Sequence, residues 1–449
     1  MKIKTFDFKL PDEDKKKKKM LLTAVSATVL ILIIMIASTF AYYQSLETQN
    51  PVNSEVGLFS NGDIIFAVTI DGVPSQTFPT SGSGYVASSV TCDKGATGIW
   101  DNNSWTIVVS NLTQSKTTCN IFFSDVSENL VYKILQQGGG ENVIEAKGDP
   151  VFNAIPTAAT SGLYAAEDEY GTSYYYRGER ESLSNNLIFA GFQWKIVRIN
   201  GDGSIRIIYN GTEAHFNSLS TMNTTGTDTQ IGTSYYSQLY DFNRYVGYMR
   251  GSAYDTYANS HKNEINSTVK IVVDNWYGNN IANKSSGITS KIADNLFCND
   301  RELLAGGGFS VDDTYYKGYQ RLSSTASPTL KCAQKNDRFT VNDTAKGNGS
   351  LTYPVGIISA DEVAYSGLTY THYNSSQYMY TGYRYWTMTP YRFINSSYKA
   401  SVFEVNGNGY IYFSGVDFAF PGVRPVLNLK SDVKVSSGVG STTDPYIIL

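Results

Sequence analysis

Charge is scarce in this chain: Asp, Glu, Lys and Arg make up 17% of its 449 residues, below the ~25% of an ordinary soluble domain. With 41% apolar and 13% aromatic residues, a chain held open by self-repulsion is excluded. Histidine is scarcer still, and His215, His261 and His372 are too far apart in sequence to form a ligand spacing. Only four cysteines occur, without a C-x-x-C pair, which removes thioredoxin-like and zinc-ribbon readings. No Gly-x-Ser-x-Gly elbow, His-Glu-x-x-His or EF-hand loop is present, and Gly138-Gly139-Gly140 lacks the Lys-Ser/Thr of a phosphate loop. No cofactor or metal is called for, and no nucleophile–base constellation argues for an enzyme. An excess of cations is missing too. The net charge is -4, and the first 19 residues hold eight lysines against four acids, which leaves 28 basic against 36 acidic side chains in the remainder. A net-acidic body speaks against a nucleic-acid partner, because little remains to neutralise a phosphate backbone.

Long apolar runs are absent but for one. From Met20 to Tyr43 no side chain is charged, and as a helix this stretch spans ~35 Å at ~1.5 Å per residue. Lys15 to Lys19 precede it and Glu47 is the first charge after it. The positive-inside rule then puts residues 1–19 in the cytoplasm as a basic tail, 20–43 across the lipid bilayer as a transmembrane helix, and the body outside a cell membrane. A cleaved signal peptide ending near Thr39-Phe40-Ala41 is the alternative. The cysteines agree with export. Of three possible connectivities, the economical one is local: Cys92 with Cys119 and Cys298 with Cys332, one bridge in each half of the exterior, with free buried thiols as the alternative.

Residues 44–126 read as a small all-β domain, with runs such as Ile64 to Ile70 and Thr106 to Ser110 between Asn-Gly, Asp-Gly and Asn-Asn turns. Trp100 and Trp105 flank a polar turn and are expected to pack on the sheet. Residues 127–150 read as a helix capped by Ser127, then a glycine hinge. Residues 151–449 carry strands interrupted by two helices, one after Asn266-Ser267-Thr268 and one opened by the capping box Ser359-x-x-Glu362 and stopped by Gly367. Strands and helices in separate blocks, without βαβ alternation, predict an α+β fold.

The tail carries Trp386-Thr387-Met388-Thr389-Pro390, then Ala400, Val402 to Val405, a Gly-rich turn, Val416, and Gly422-Val423-Arg424-Pro425-Val426-Leu427-Asn428-Leu429. This resembles a Firmicutes-type bacterial family of exported domains of unknown function, similar to the formylglycine-generating sulfatase-modifying enzymes and, more distantly, to C-type lectins. The resemblance covers about 185–449 and implies a C-type-lectin-like domain at 151–449. It implies no chemistry, because the copper-binding cysteine pair of the enzymes and the calcium-ligating Glu-Pro-Asn or Gln-Pro-Asp of the lectins are both missing. Trp386 is expected in the core, Gly422 in a tight turn, and Arg424 in a buried charge-assisted pair that pins the last strands.

Between Tyr370 and Phe413 there are ten tyrosines in 44 residues, interleaved with Asn and Ser. That is the composition of adaptable binding surfaces, with rigid amphipathic rings among flexible hydrogen-bonding groups. Tyr373, Tyr378, Tyr383, Tyr391, Tyr398 and Tyr410 are the candidate ligand contacts. The function expected is a membrane-anchored extracellular binding or adhesion protein that recognises a glycan or protein ligand without calcium. The alternatives are a diversified, hypervariable surface receptor and an enzyme on the sulfatase-modifying-enzyme fold.

Overall fold

The computed structural model describes residues 57–59, 62–211, 226–253, 256–305, 308–309 and 313–448. The chain divides into two compact units after Glu128. The α+β expectation is corrected: strands account for 33% and helices for 20%, arranged in several sheets, so the protein is mostly β. The reason lies in helix length. Gly138, Gly278 and Gly367 follow the three longest described α-helices, and the longest of them, Thr268–Tyr277, has ten residues, while the β-branched and aromatic runs between them pair into ladders. The expected transmembrane helix at 20–43, and with it the cell-membrane placement, is corrected as well. Among the described residues no helix is long and apolar enough to cross a membrane, and 20–43 lies outside those residues, as does the basic tail at 1–19.

The first unit is a sheet in which Gly62–Ile70 runs parallel to Thr117–Asp125 and antiparallel to Gly57–Phe59 and Val73–Ser75, with Tyr85–Cys92 on the far side of Thr117–Asp125. A hairpin of Thr97–Asp101 and Thr106–Ser110 brings Trp100 and Trp105 edge to face at 5.3 Å and onto Phe123. Both tryptophans serve the core. Cys92 and Cys119 face each other in register and are joined by a disulfide.

The second unit begins at Asn129, which caps the helix Leu130–Gln137 by accepting the Tyr132 N–H at 3.2 Å. The cap is therefore Asn129 and not Ser127. Leu130 and Ile134 are fully buried in this unit's core, so the division of the chain falls before the helix, not in the glycine run after it. An eight-stranded sheet is ordered Val426–Leu429, Ile205–Gly211, Phe192–Ile199, Asn186–Phe189, Tyr446–Ile448 and Val435–Ser437, with Thr172–Arg177 and Gly162–Glu167 branching from Phe192–Ile199. A four-stranded sheet runs Thr314–Tyr315, Tyr385–Ile394, Lys399–Val405 and Ile411–Gly415. Cys298 and Cys332 form the second disulfide, and each bridge closes a loop worth on the order of 3 kcal/mol.

The two sheets are joined by one short helix, Ala360–Ser366, every residue of which is buried. Ser359 and Glu362 form the capping box, and Gly367 stops the helix at φ 113°, where an added Cβ would also lie 2.6 Å from Pro156. Toward the large sheet, Glu362 Oε1 accepts from Arg206 Nη1 at 2.6 Å and Arg198 Nε at 3.1 Å, and Arg198 also pairs with Asp168 at 2.6 Å. Toward the small sheet, the Ala360 N–H donates to Thr389 Oγ1 at 2.9 Å and the Met388 N–H to the Ile358 carbonyl at 2.8 Å. Burial alone would raise the Glu362 carboxyl, but Arg206, Arg198 and the Ser359 N–H override it and hold it at about 2.

Glu362→Gln leaves two buried guanidinium groups without their shared carboxylate and should cost ~3–5 kcal/mol of the second unit's stability, read from denaturant midpoints at neutral pH. Because the folded carboxyl titrates near 2 and the unfolded one near ~4.3, the wild type keeps this contribution above ~4.3 and loses it as pH falls toward 2. The gap between wild type and Glu362→Gln should close over that window. A gap independent of pH would show that Glu362 acts by shape and not by charge.

Candidate functional site

The helix Ala360–Ser366 also positions a surface cleft beside the tyrosine-rich tail. Arg321 binds Asp361 of that helix in fork geometry, Nε to Oδ1 at 3.0 Å and Nη2 to Oδ2 at 2.9 Å, and also pairs with Asp300. Arg321 opens the turn Arg321–Thr325, which ends at Ala326 in the left-handed region. The other wall leaves the helix at Gly367. Thr369 Oγ1 accepts the His372 N–H at 2.9 Å, the Ile411 N–H donates to the Thr369 carbonyl at 2.8 Å, and the Asn374 N–H donates to the Gly409 carbonyl at 2.8 Å. Between these walls lies a cleft of about 240 Å³, with Leu322, Ala364, Leu368 and Ile411 supplying apolar surface and Ser323, Ser324, Thr325, Thr369, Thr371, Asn153, Tyr370 and His372 supplying polar groups.

Aromatic rings continue from this cleft. Tyr370 stacks on Tyr412 at 6.4 Å, Tyr412 meets Tyr410 at 5.5 Å, and Tyr410 meets Tyr373 edge-on at 4.8 Å. Tyr373 is 67% exposed. Two of the tyrosines named from sequence, Tyr373 and Tyr410, are thus brought together beside the cleft. Tyr383 and Tyr398 are also exposed but do not line it.

The assignments of Tyr378 and Tyr391 as ligand contacts are corrected. Both are buried. Tyr378 lies in the core with its hydroxyl donating to the Tyr176 carbonyl at 3.3 Å, and Tyr391 is stacked on Phe413 at 3.9 Å with Phe403 and Tyr319 against its other sides. The strand Tyr385–Ile394 is covered on both faces over most of its length, so its tyrosines do not alternate between core and solvent.

Trp386 is fully buried, its indole N–H donating to the Ser234 carbonyl at 2.8 Å. Arg424 is buried as well, but its partners are not acidic: it donates to the Tyr209 carbonyl at 3.0 Å, the Met379 carbonyl at 3.2 Å and Asn210 Oδ1 at 3.0 Å, and lies 4.7 Å over the Tyr385 ring. The expected ion pair is replaced by neutral acceptors and a π-face, and burial lowers the guanidinium pKa. Gly422 lies at a close approach and not in a tight turn, and its neighbour is the end of the flexible Gln230 side chain, which would have to move to admit a larger residue. The Gly422 backbone bridges Trp386 and Arg384, and a Cβ there would meet Gln230 Oε1 at 1.7 Å.

His372, Tyr370 and Tyr412 were not singled out from sequence. Their signal was position: His372 sits five residues after the Gly367 stop, in the loop that has to leave the buried helix for the surface. His372 Nδ1 is 2.8 Å from Thr371 Oγ1, and the cleft lining holds no carboxylate and no thiol. Among the described residues no three His, Cys, Asp or Glu side chains are grouped so as to hold a metal ion. Comparison with protein-family models, with curated proteins and with solved structures finds no match to this chain.

Tyr378→Ala and Tyr391→Ala remove buried rings and should each lower stability by ~3–5 kcal/mol. Tyr373→Ala and Tyr398→Ala should stay within ~0.5 kcal/mol of wild type. Thermal melts of the four variants test this division, which fails if the two groups overlap.

Proposed function

We propose that this protein is a calcium-independent binding module for a carbohydrate chain, working in an oxidising extracellular setting. The observation that carries the reading is the run Tyr370, Tyr412, Tyr410 and Tyr373 at the rim of a hydroxyl-lined cleft. Flat rings stack on the apolar faces of sugars, while Ser, Thr, Asn and His side chains match hydroxyls, and tyrosine does both at low entropic cost. The rings are stacked or edge-on against one another and the loops that carry them are hydrogen-bonded in place, which limits the ordering cost of binding. The two disulfides support an oxidising compartment. We read binding and not catalysis, because His372 has no acid or thiol partner in the cleft lining.

A glycan array probed with the protein, in buffer containing a calcium chelator, tests the reading. Capture of a defined glycan set should survive the chelator and fall at least tenfold in a Tyr373→Ala/Tyr410→Ala double variant whose melting temperature is unchanged. Capture that needs calcium, or that is indifferent to the double variant, overturns the proposal, and capture of a protein with no glycan bound would favour a protein ligand instead.

A further inference from the structure

A second concavity, of about 350 Å³, opens on one face of the four-stranded sheet at its hairpin end. Its charge is unlike the rest of the molecule. Arg384, Arg392 and Lys399 converge on it in a chain of net charge -4, with Phe413 and Phe418 as its aromatic sides. The sheet register explains the convergence. Arg392 is paired with Ser401 and Ile394 with Lys399 across the two long strands, and Ser401 is paired with Gly415 of the next, so residues two apart on three adjacent strands share this face.

Two of the cations have acidic neighbours, Arg384 with Glu404 at 2.9 Å and Lys399 with Asp417 at 3.3 Å. Arg392 does not pair with any carboxylate among the described residues. Its guanidinium is held by rings instead, 5.1 Å from the Tyr391 centroid and 5.3 Å from that of Phe413. Stacking of this kind fixes a planar donor fork while leaving its edge free, and a carboxylate is the group that a fork binds in two parallel bonds. Tyr391, buried and unavailable to a ligand, thus has a role as the platform of Arg392.

The hairpin tip adds an independent observation. Tyr398 is 61% exposed and sits at φ 48°, ψ 50°, between Ser397 and Lys399 of the groove wall. A bulky residue in the left-handed region is strained, and glycine would occupy that position without cost. An exposed tyrosine there does nothing for the core. Phe420, 72% exposed and 5.0 Å from Phe418, extends the aromatic border on the other side.

We propose that this groove is a subsite for the carboxylate of an acidic sugar unit, with Arg392 as the carboxylate-binding fork, Lys399 and Arg384 as supporting cations, and Tyr398 as a stacking edge. This rests on the carbohydrate reading and deepens it. Ile411 lines the first cleft and Phe413 the groove, two residues apart on one strand, so one extended chain can occupy both. A uronic-acid chain fits better than a phosphate polymer, because a groove with two of its three cations beside carboxylates repels closely spaced charge.

The test compares oligogalacturonate with its fully methyl-esterified form, which keeps the rings and removes the charge, and with a sulfated chain of similar length. Binding is measured by calorimetry on the full chain at two salt concentrations. The free acid should bind at least tenfold more tightly than the ester, with the difference shrinking at higher salt. Arg392→Gln and Lys399→Gln should each erase most of that preference at unchanged melting temperature, and Arg392→Lys should not restore it, because a point charge lacks the fork. Tyr373→Ala should weaken both forms alike. Equal binding of acid and ester overturns the subsite and leaves the carbohydrate reading standing. Failure of both to bind, with Tyr373→Ala also silent on the array, removes both readings. Preference for the sulfated chain over the free acid overturns the carboxylate assignment.

Discussion

Glu362 is the residue on which the second unit depends. A carboxylate in a fully buried helix is costly unless the geometry of its partners is good, and here two guanidinium groups from adjacent strands of the large sheet meet one oxygen while the other oxygen closes the helix's own capping box. The helix cannot shift along the sheet without leaving Arg206 buried with no carboxylate and Arg198 with Asp168 alone. Hydrophobic packing around it, from Val363, Ala364, Ile358 and Met388, would tolerate small slides. The ion pairs do not, so they set the register between the two sheets.

That register is what builds the cleft. Asp361, next to Glu362 on the same helix, holds Arg321 and with it one wall. Gly367, at the helix end, releases the chain into the loop that forms the other wall, and Thr369 ties that loop back to the small sheet through Ile411. Two neighbouring acids on a seven-residue helix therefore position both sides of one concavity. Asp300, the second partner of Arg321, has its carboxyl pushed up to about 6 by burial and by the nearby Asp361 charge, against the pull of Arg321. The sign is opposite to that of Glu362. A raised carboxyl stabilises the fold at low pH and loses that contribution as pH rises through 6.

Much of this skeleton was legible in the sequence. Ser359, Glu362 and Gly367 define the helix from its first residue to its stop, because a capping box and a glycine act through local backbone geometry alone. Local pairing of the cysteines and the core position of Trp386 were legible for similar reasons of proximity and size. What could not be read was burial on two sides. Tyr385, Tyr391 and Tyr398 look alike in composition, yet the first two are in a strand covered on both faces and the third is at a hairpin tip. Composition counts tyrosines without counting layers. The partners of Arg424 were misjudged for a related reason: burial demands that a guanidinium be satisfied, but carbonyls and a ring face do that as well as an acid.

The basic groove shows a signal that was present and unused. Arg392 and Ile394 alternate along one strand, Lys399 and Ser401 along the next, and Phe413 and Gly415 along the third, so the period of two already assigns them to one face once the hairpin at Asn395 to Tyr398 is placed. Read that way, the tyrosines divide into two kinds of work. Those in the strands, above all Tyr391, are buried so that a cation can rest on them, and those in the loops, Tyr373 and Tyr398, are exposed because nothing in the core requires them. A cation stacked on a buried ring is held in place before any ligand arrives. An exposed ring on a hydrogen-bonded loop likewise has little freedom left to lose, and under the proposed binding function the two together would rely more on preorganisation than on area.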